Sequence, residues 1–153
     1  MQDYDIASSE LVSFYEKCLR VHGRKPEGLD WPNAKDLEKR YEIMLSFVEN
    51  RASKFKILDL GCGPGLLIDY LKQRQAAEGL IYKGVDISNS MIREALKRWP
   101  EEDFECRDFI KDKYAENEFD NVIMNGLFTK KQSLPEHVMK KFLSASLIQK
   151  MNC

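Results

Sequence analysis

Lys56-Ile57-Leu58-Asp59-Leu60-Gly61-Cys62-Gly63-Pro64-Gly65 is the stretch that decides the fold of this 153-residue chain. Lys56 to Leu60 reads as a short buried strand. It carries an acid, Asp59, just before its end, and glycines follow at alternate positions, Gly61, Gly63 and Gly65. A backbone without Cβ turns sharply and lets a ligand approach closely. A helical pattern opens at Leu66 directly after the last glycine and runs to about Ala77. Strand, glycine loop and helix together form the first half of a βαβ unit.

Downstream, the same alternation continues. Leu80 to Asp86 reads as a second strand, and Ser90 to Trp99 as a helix with Met91, Ile92, Ala95, Leu96 and Trp99 on one face. Asp103 to Arg107 and Phe119 to Asn125 read as two further strands, and Leu134 to Lys150 as a closing helix. Upstream, Leu11, Phe14, Tyr15, Cys18 and Leu19 form one helical stripe that Gly23 can end. Leu37, Tyr41, Met44, Leu45 and Val48 form another, with a loop over 22–33 between the two. Strands alternating with helices predict a parallel sheet with right-handed crossovers. The ligand of such a sheet lies beyond the carboxyl ends of its strands.

Composition narrows the function classes. The 24 basic and 25 acidic residues nearly cancel, so no basic face for nucleic acid or membrane is expected. No apolar run approaches the ~18 residues needed to span a bilayer, and the acidic N-terminus does not resemble a signal peptide. Cys18, Cys62, Cys106 and Cys153 are widely spaced, with no Cys-x-x-Cys pair, so no metal site is expected. Reduced thiols and a cytoplasmic location are the expectation.

Three strand ends carry candidate ligand-binding groups: Asp59 with the glycines, then Asp86, then Asp108 with Phe109. An acid after the second strand suits the hydroxyls of an adenosine ribose. An acid and an aromatic after the third suit an adenine, held by its amine and its face. A nicotinamide dinucleotide fits less well. Its Gly-x-Gly-x-x-Gly pattern needs a glycine where Leu66 stands, and Asp59 would repel a pyrophosphate. A ligand with a positive amino group suits Asp59 better. No Gly-Lys-Ser/Thr follows, so a P-loop is excluded.

Ile57 to Gly65 resembles the first motif of class I S-adenosylmethionine-dependent methyltransferases. Gly84-Val85-Asp86-Ile87-Ser88, Ser90-Met91-Ile92 with Ala95, Arg107-Asp108-Phe109 and Phe119-Asp120-Asn121-Val122-Ile123 resemble the motifs that follow it. The resemblance covers about Lys56 to Asn125. It implies a three-layer Rossmann-like α/β fold with strand order 3-2-1-4, residues 1–52 as an N-terminal helical lid and 53–153 as the cofactor-binding core. It further implies that Gly61, Cys62, Gly63 and Gly65 border the methionine part of S-adenosylmethionine and that Asp59 holds its amino group. Asp86 and Ile87 would then lie at the ribose, and Asp108 and Phe109 at the adenine. Cys62 reads as a small filler rather than a nucleophile. Asn125, at the end of strand four, is the candidate catalytic residue, and His22 and Trp31, with Arg40 nearby, are candidates for the substrate side.

The family's sheet continues with strands 5-7-6, which have no counterpart here. The chain is therefore expected to be a truncated methyltransferase or its cofactor-binding half. Strand four would be an apolar edge for a second copy or a partner to cover. The expected acceptor is a small molecule. A non-catalytic module binding S-adenosylmethionine or S-adenosylhomocysteine is the alternative.

Overall fold

A computed structural model describes residues 2–48 and 54–126, together with positions 136, 140 and 144. Four parallel strands form its sheet in the order β3-β2-β1-β4. They are β1 Phe55–Leu60, β2 Leu80–Asp86, β3 Asp103–Cys106 and β4 Asn121–Ile123. The helices are α1 Gln2–His22, α2 Ala34–Ser46, α3 Leu66–Gln73 and α4 Asn89–Arg98, with a 3-10 turn over Pro26–Leu29. The α/β class and the strand order are those expected from the sequence.

Alternation along β1 sorts the core into two faces, because successive side chains of a strand point to opposite sides. Phe55 and Ile57 pack with Tyr82, Ile123 and the apolar faces of α2 and α3. Leu58 and Leu60 pack on the other side with Val85, Phe109, Phe119 and Tyr4. The register of β1 on β2 runs from Phe55↔Leu80 to Leu60↔Val85, which brings both strand ends, and the loops after them, to one edge.

Local chemistry sets the helix limits. Asn33 caps α2 by accepting the Asp36 N–H, and Ser88 caps α4 by accepting the Met91 N–H. Helix α3 ends at Gln73, short of the expected Ala77, because Gln75 takes a left-handed conformation with φ 54°. Leu96, expected on the inner face of α4, is exposed, while Met91, Ile92 and Ala95 are buried. The closing helix expected over 134–150 falls largely outside the described residues; Glu136, Lys140 and Ser144 are helical.

Helix α1 runs across the carboxyl ends of the strands. The Tyr4 hydroxyl donates to Asp108 Oδ1 at 2.6 Å, after β3. The Ser88 hydroxyl, after β2, donates to Glu16 at 2.6 Å. Just past the helix, Arg24 donates to the Pro64 carbonyl, after β1. The contacts follow the strand order, so the helix lies over the edge where the loops gather.

Candidate functional site

The glycine loop is built by hydrogen bonds to its neighbour strand. The Gly61 and Cys62 N–H groups both donate to the Val85 carbonyl, at 2.7 and 3.0 Å. The Gly63 N–H donates to Asp86 Oδ2 at 2.9 Å, and the Ser88 N–H to Asp86 Oδ1 at 2.8 Å. Asp86 thus joins the loops after β1 and β2. Gly63 has φ +54°, and a Cβ there would lie 2.9 Å from Leu29 Cδ2. Gly65, at φ 81°, forms the left-handed N-cap of α3. Both positions need glycine.

From outside, Arg24 clamps the loop. Its guanidinium donates to the Pro64 carbonyl at 3.0 and 2.7 Å and pairs with Asp69 at 2.9 Å. The other Asp69 oxygen accepts Trp99 Nε1 at 2.7 Å.

Above the loop lies a cavity of about 80 Å³ lined by Gly61, Gly63, Asp86, Leu29, Trp31 and Asn125, among others. A second, of about 60 Å³, is lined by Leu60, Asp108 and Phe109 beside the end of β3. Both cavities share Gly61, Asp86, Ile87 and, from α1, Leu11. They are two ends of one cleft crossing the strand termini, with α1 as its roof. A third cavity, an open groove of about 700 Å³, adjoins the first and shares Trp31, Asn125 and Gly126 with it.

The structure brings Gly61, Gly63, Asp86, Ile87, Asp108, Phe109, Trp31 and Asn125 to this cleft. Cys62 is buried beneath it with Sγ 3.5 Å from the Gly63 carbonyl. Burial, with Asp86 and Asp59 nearby, pushes the Cys62 thiol well up, which suits a filler and not a nucleophile. Gly65 shapes the loop from behind. His22 is exposed at the end of α1 and is not among the residues lining the cleft or the groove.

Asp59 lies buried beneath the loop, outside the residues that line the cleft, and its Oδ2 accepts the Tyr82 hydroxyl at 2.7 Å. It is 3% exposed. Burial pushes its carboxyl up to about 7, helped by Asp86 and opposed by the Tyr82 hydrogen bond. Burial also raises Asp86, against the backbone N–H groups of Ser88 and Gly63. Tyr41, read from the sequence only as a core residue of α2, has a buried hydroxyl that meets the side chain of Asn125.

The roof contacts were invisible in the sequence. The apolar stripe of α1 includes Leu11, but nothing in its spacing says which end of the sheet it covers. Tyr4→Phe removes the hydroxyl held by Asp108. It should cost on the order of 1 kcal/mol, read as a lower Tm and faster amide exchange in the first turns of α1. Unchanged exchange would mean that the bond does not hold the roof.

A family profile described as a methyltransferase domain matches residues 57–145. The chain belongs to this methyltransferase family. A Mycobacterium tuberculosis protein described as a methyltransferase is 39% identical over 84 residues, covering 53% of this chain and 46% of that protein. The chain therefore spans about half the length of that curated relative. Among solved structures, a phosphoethanolamine N-methyltransferase of Haemonchus contortus in complex with phosphoethanolamine and S-adenosylhomocysteine superposes with TM-score 0.70 and 16% identity. That match covers 95% of this chain and 30% of the other. A SAM-dependent methyltransferase from Archaeoglobus fulgidus superposes with TM-score 0.58 and 19% identity, covering 79% of this chain and 50% of the other. The shared feature at these identities is the fold: the sheet order 3-2-1-4 is that of class I methyltransferases.

Proposed function

We propose that this chain binds S-adenosylmethionine across the carboxyl edge of its sheet, as the cofactor-binding part of a methyltransferase acting on a small molecule. One observation carries the reading. Gly61 and Gly63, then Asp86, then Asp108 and Phe109 lie along one cleft in the order of strands β1, β2 and β3.

The residues fit the cofactor. The backbone of Gly61 and Gly63 offers close approach for the methionine portion, where a Cβ would intrude. Asp86, at the middle of the cleft, has two carboxylate oxygens for ribose hydroxyls. Asp108 and Phe109 supply an acceptor and an aromatic face for adenine. Asp59, beneath the loop, offers a carboxylate for the amino group, directly or through water. When bound, S-adenosylmethionine supplies a methyl group activated on a sulfonium, so the chain needs alignment more than acid–base machinery. Trp31 and Asn125 stand where the cleft meets the groove, with the buried Tyr41 hydroxyl beside the Asn125 side chain. Their role is to orient an acceptor and keep water out.

Calorimetry with S-adenosylhomocysteine and with NAD tests the reading. Binding of the first alone is expected, and binding of NAD alone would overturn it. Because the match covers only 46% of the relative, a non-catalytic binding module is the second reading. A methyl-transfer assay over a set of small acceptors separates the two.

A small-molecule acceptor, rather than nucleic acid, accords with the formal net charge of −1. No helix among the described residues is long and apolar enough to cross a membrane. Strand β4 pairs only with β1 among the described residues. A second copy or partner protein covering this edge completes the proposal, and sedimentation giving a lone monomer would count against it.

A further inference from the structure

The large groove beside the cleft has chemistry of its own. It lies between α2 and the residues just past β4, and it opens onto the cleft through Trp31, Asn125 and Gly126. Trp31 is 9% exposed and forms part of the core, so its ring is a rigid wall. The Arg40 guanidinium lies over this ring at 4.7 Å from its centroid. Lys39 stands beside it on the same lining.

Arg40 differs from Arg24, Arg74 and Arg107, each of which is paired. Arg24 pairs with Asp69, Arg74 with Glu38 and Arg107 with Glu105. Among the described residues, no carboxylate pairs with Arg40. The one acid lining the groove, Asp36, stands one helical turn before it. Its Oδ2 accepts the Asn33 side chain at 2.9 Å, and its N–H is held by the Asn33 cap. Asp36 is therefore committed to starting α2, which leaves two cations facing the groove. A guanidinium over an indole face still has N–H groups to offer, and such groups receive a carboxylate or phosphate in a fork.

We propose that this groove is the acceptor site and that it takes a small acceptor bearing an anionic group, its carboxylate or phosphate paired with Arg40 and its body against Trp31. The proposal rests on the methyltransferase reading for the word acceptor, but the anion site stands on its own geometry. Arg40 and Lys39 hold the anionic end at the outer part of the groove. Trp31 and Asn125 border the passage to the cleft, so the other end of the same molecule is directed toward the cofactor side. Arg40 acts on binding and placement, not on the chemical step.

Tryptophan fluorescence tests it with a matched pair of probes, phenyl phosphate and the uncharged phenol, titrated into the whole chain without cofactor. Trp99, the other tryptophan, is replaced by phenylalanine in a control so that the signal reports Trp31; because this removes the indole N–H that Asp69 accepts, the phenyl phosphate preference is also measured by calorimetry in the wild-type chain. Phenyl phosphate should bind at least about 10-fold more tightly than phenol. Arg40→Gln should abolish that preference, and Arg40→Lys should keep part of it. Arg40 is exposed, so its variants should keep the wild-type Tm. S-adenosylhomocysteine affinity, measured separately, should be the same in wild type and Arg40→Gln. Equal binding of the two probes, or a preference that survives Arg40→Gln, would overturn the anion site. Absence of S-adenosylhomocysteine binding with the anion preference intact would overturn the methyltransferase reading and leave an anion site that serves another reaction.

Discussion

Asp86→Ala is expected to weaken S-adenosylhomocysteine binding by ~1–3 kcal/mol, a loss of roughly 5- to 150-fold. The upper part of that range is expected because two losses combine. The ribose would lose its carboxylate, and the Gly63 and Ser88 N–H groups would lose the oxygens that fix them at 2.9 and 2.8 Å. A glycine loop without that tie has more conformations to give up on binding. Asp86→Asn is no gentle substitute. It replaces one acceptor oxygen by an amide that donates, and both neighbouring backbone groups are donors. Calorimetry reads the affinity of both variants, and thermal unfolding reports how much of the loss is loop order. Undiminished affinity in Asp86→Ala would remove Asp86 from the site.

The second large effect concerns Asp59 and pH. In the folded chain this carboxyl titrates at about 7, against 3.8 for an unperturbed aspartate. Below about pH 4 it is protonated whether the chain is folded or not. Between about pH 4 and 7 the unfolded chain releases a proton that the folded chain keeps. Folding therefore loses about 1.4 kcal/mol for each pH unit, and the full loss above pH 7 is about 4 kcal/mol. Asp59→Asn keeps an oxygen for the Tyr82 hydroxyl and removes the charge, so the gap in stability between variant and wild type should open with that slope. Urea unfolding at a series of pH values measures it. A gap that does not change from pH 4 to 7 would mean that Asp59 is ionised in its buried site. The same protonation links to the cofactor. An ammonium group bound near the loop favours the carboxylate, so binding at pH 6 should release a proton, detected as a buffer-dependent heat.

The parts of this protein that were legible in the sequence are those set by neighbours along the chain. Strand β2 was read at its observed limits, because its apolar run ends in Asp86. The glycine loop was legible because few residues other than glycine take the backbone angles it needs. The end of α3 was not legible: Gln75 adopts a conformation that glycine or asparagine normally marks. Exposed Leu96 misled a reading based on periodicity, which counts apolar residues without knowing where the neighbouring layer stops. The roof was hidden for a related reason. Tyr4 and Asp108 are separated by 104 residues, and no local pattern pairs them. The same holds for Tyr82 beneath Asp59. The sequence marks residue 82 only as part of the second strand, and nothing along that strand shows where its hydroxyl goes.

Asp69 carries a consequence for how this loop can be used elsewhere. One carboxylate holds Arg24, which grips the Pro64 carbonyl, and also holds the indole of Trp99 at the end of α4. The glycine loop is thus braced by residues some forty positions before it and thirty after it. It is not a portable cassette. Transplanting residues 56–73 into another sheet would carry the glycines but leave their brace behind, and the graft would have to be wide enough to include Arg24 and Trp99 before it kept its shape.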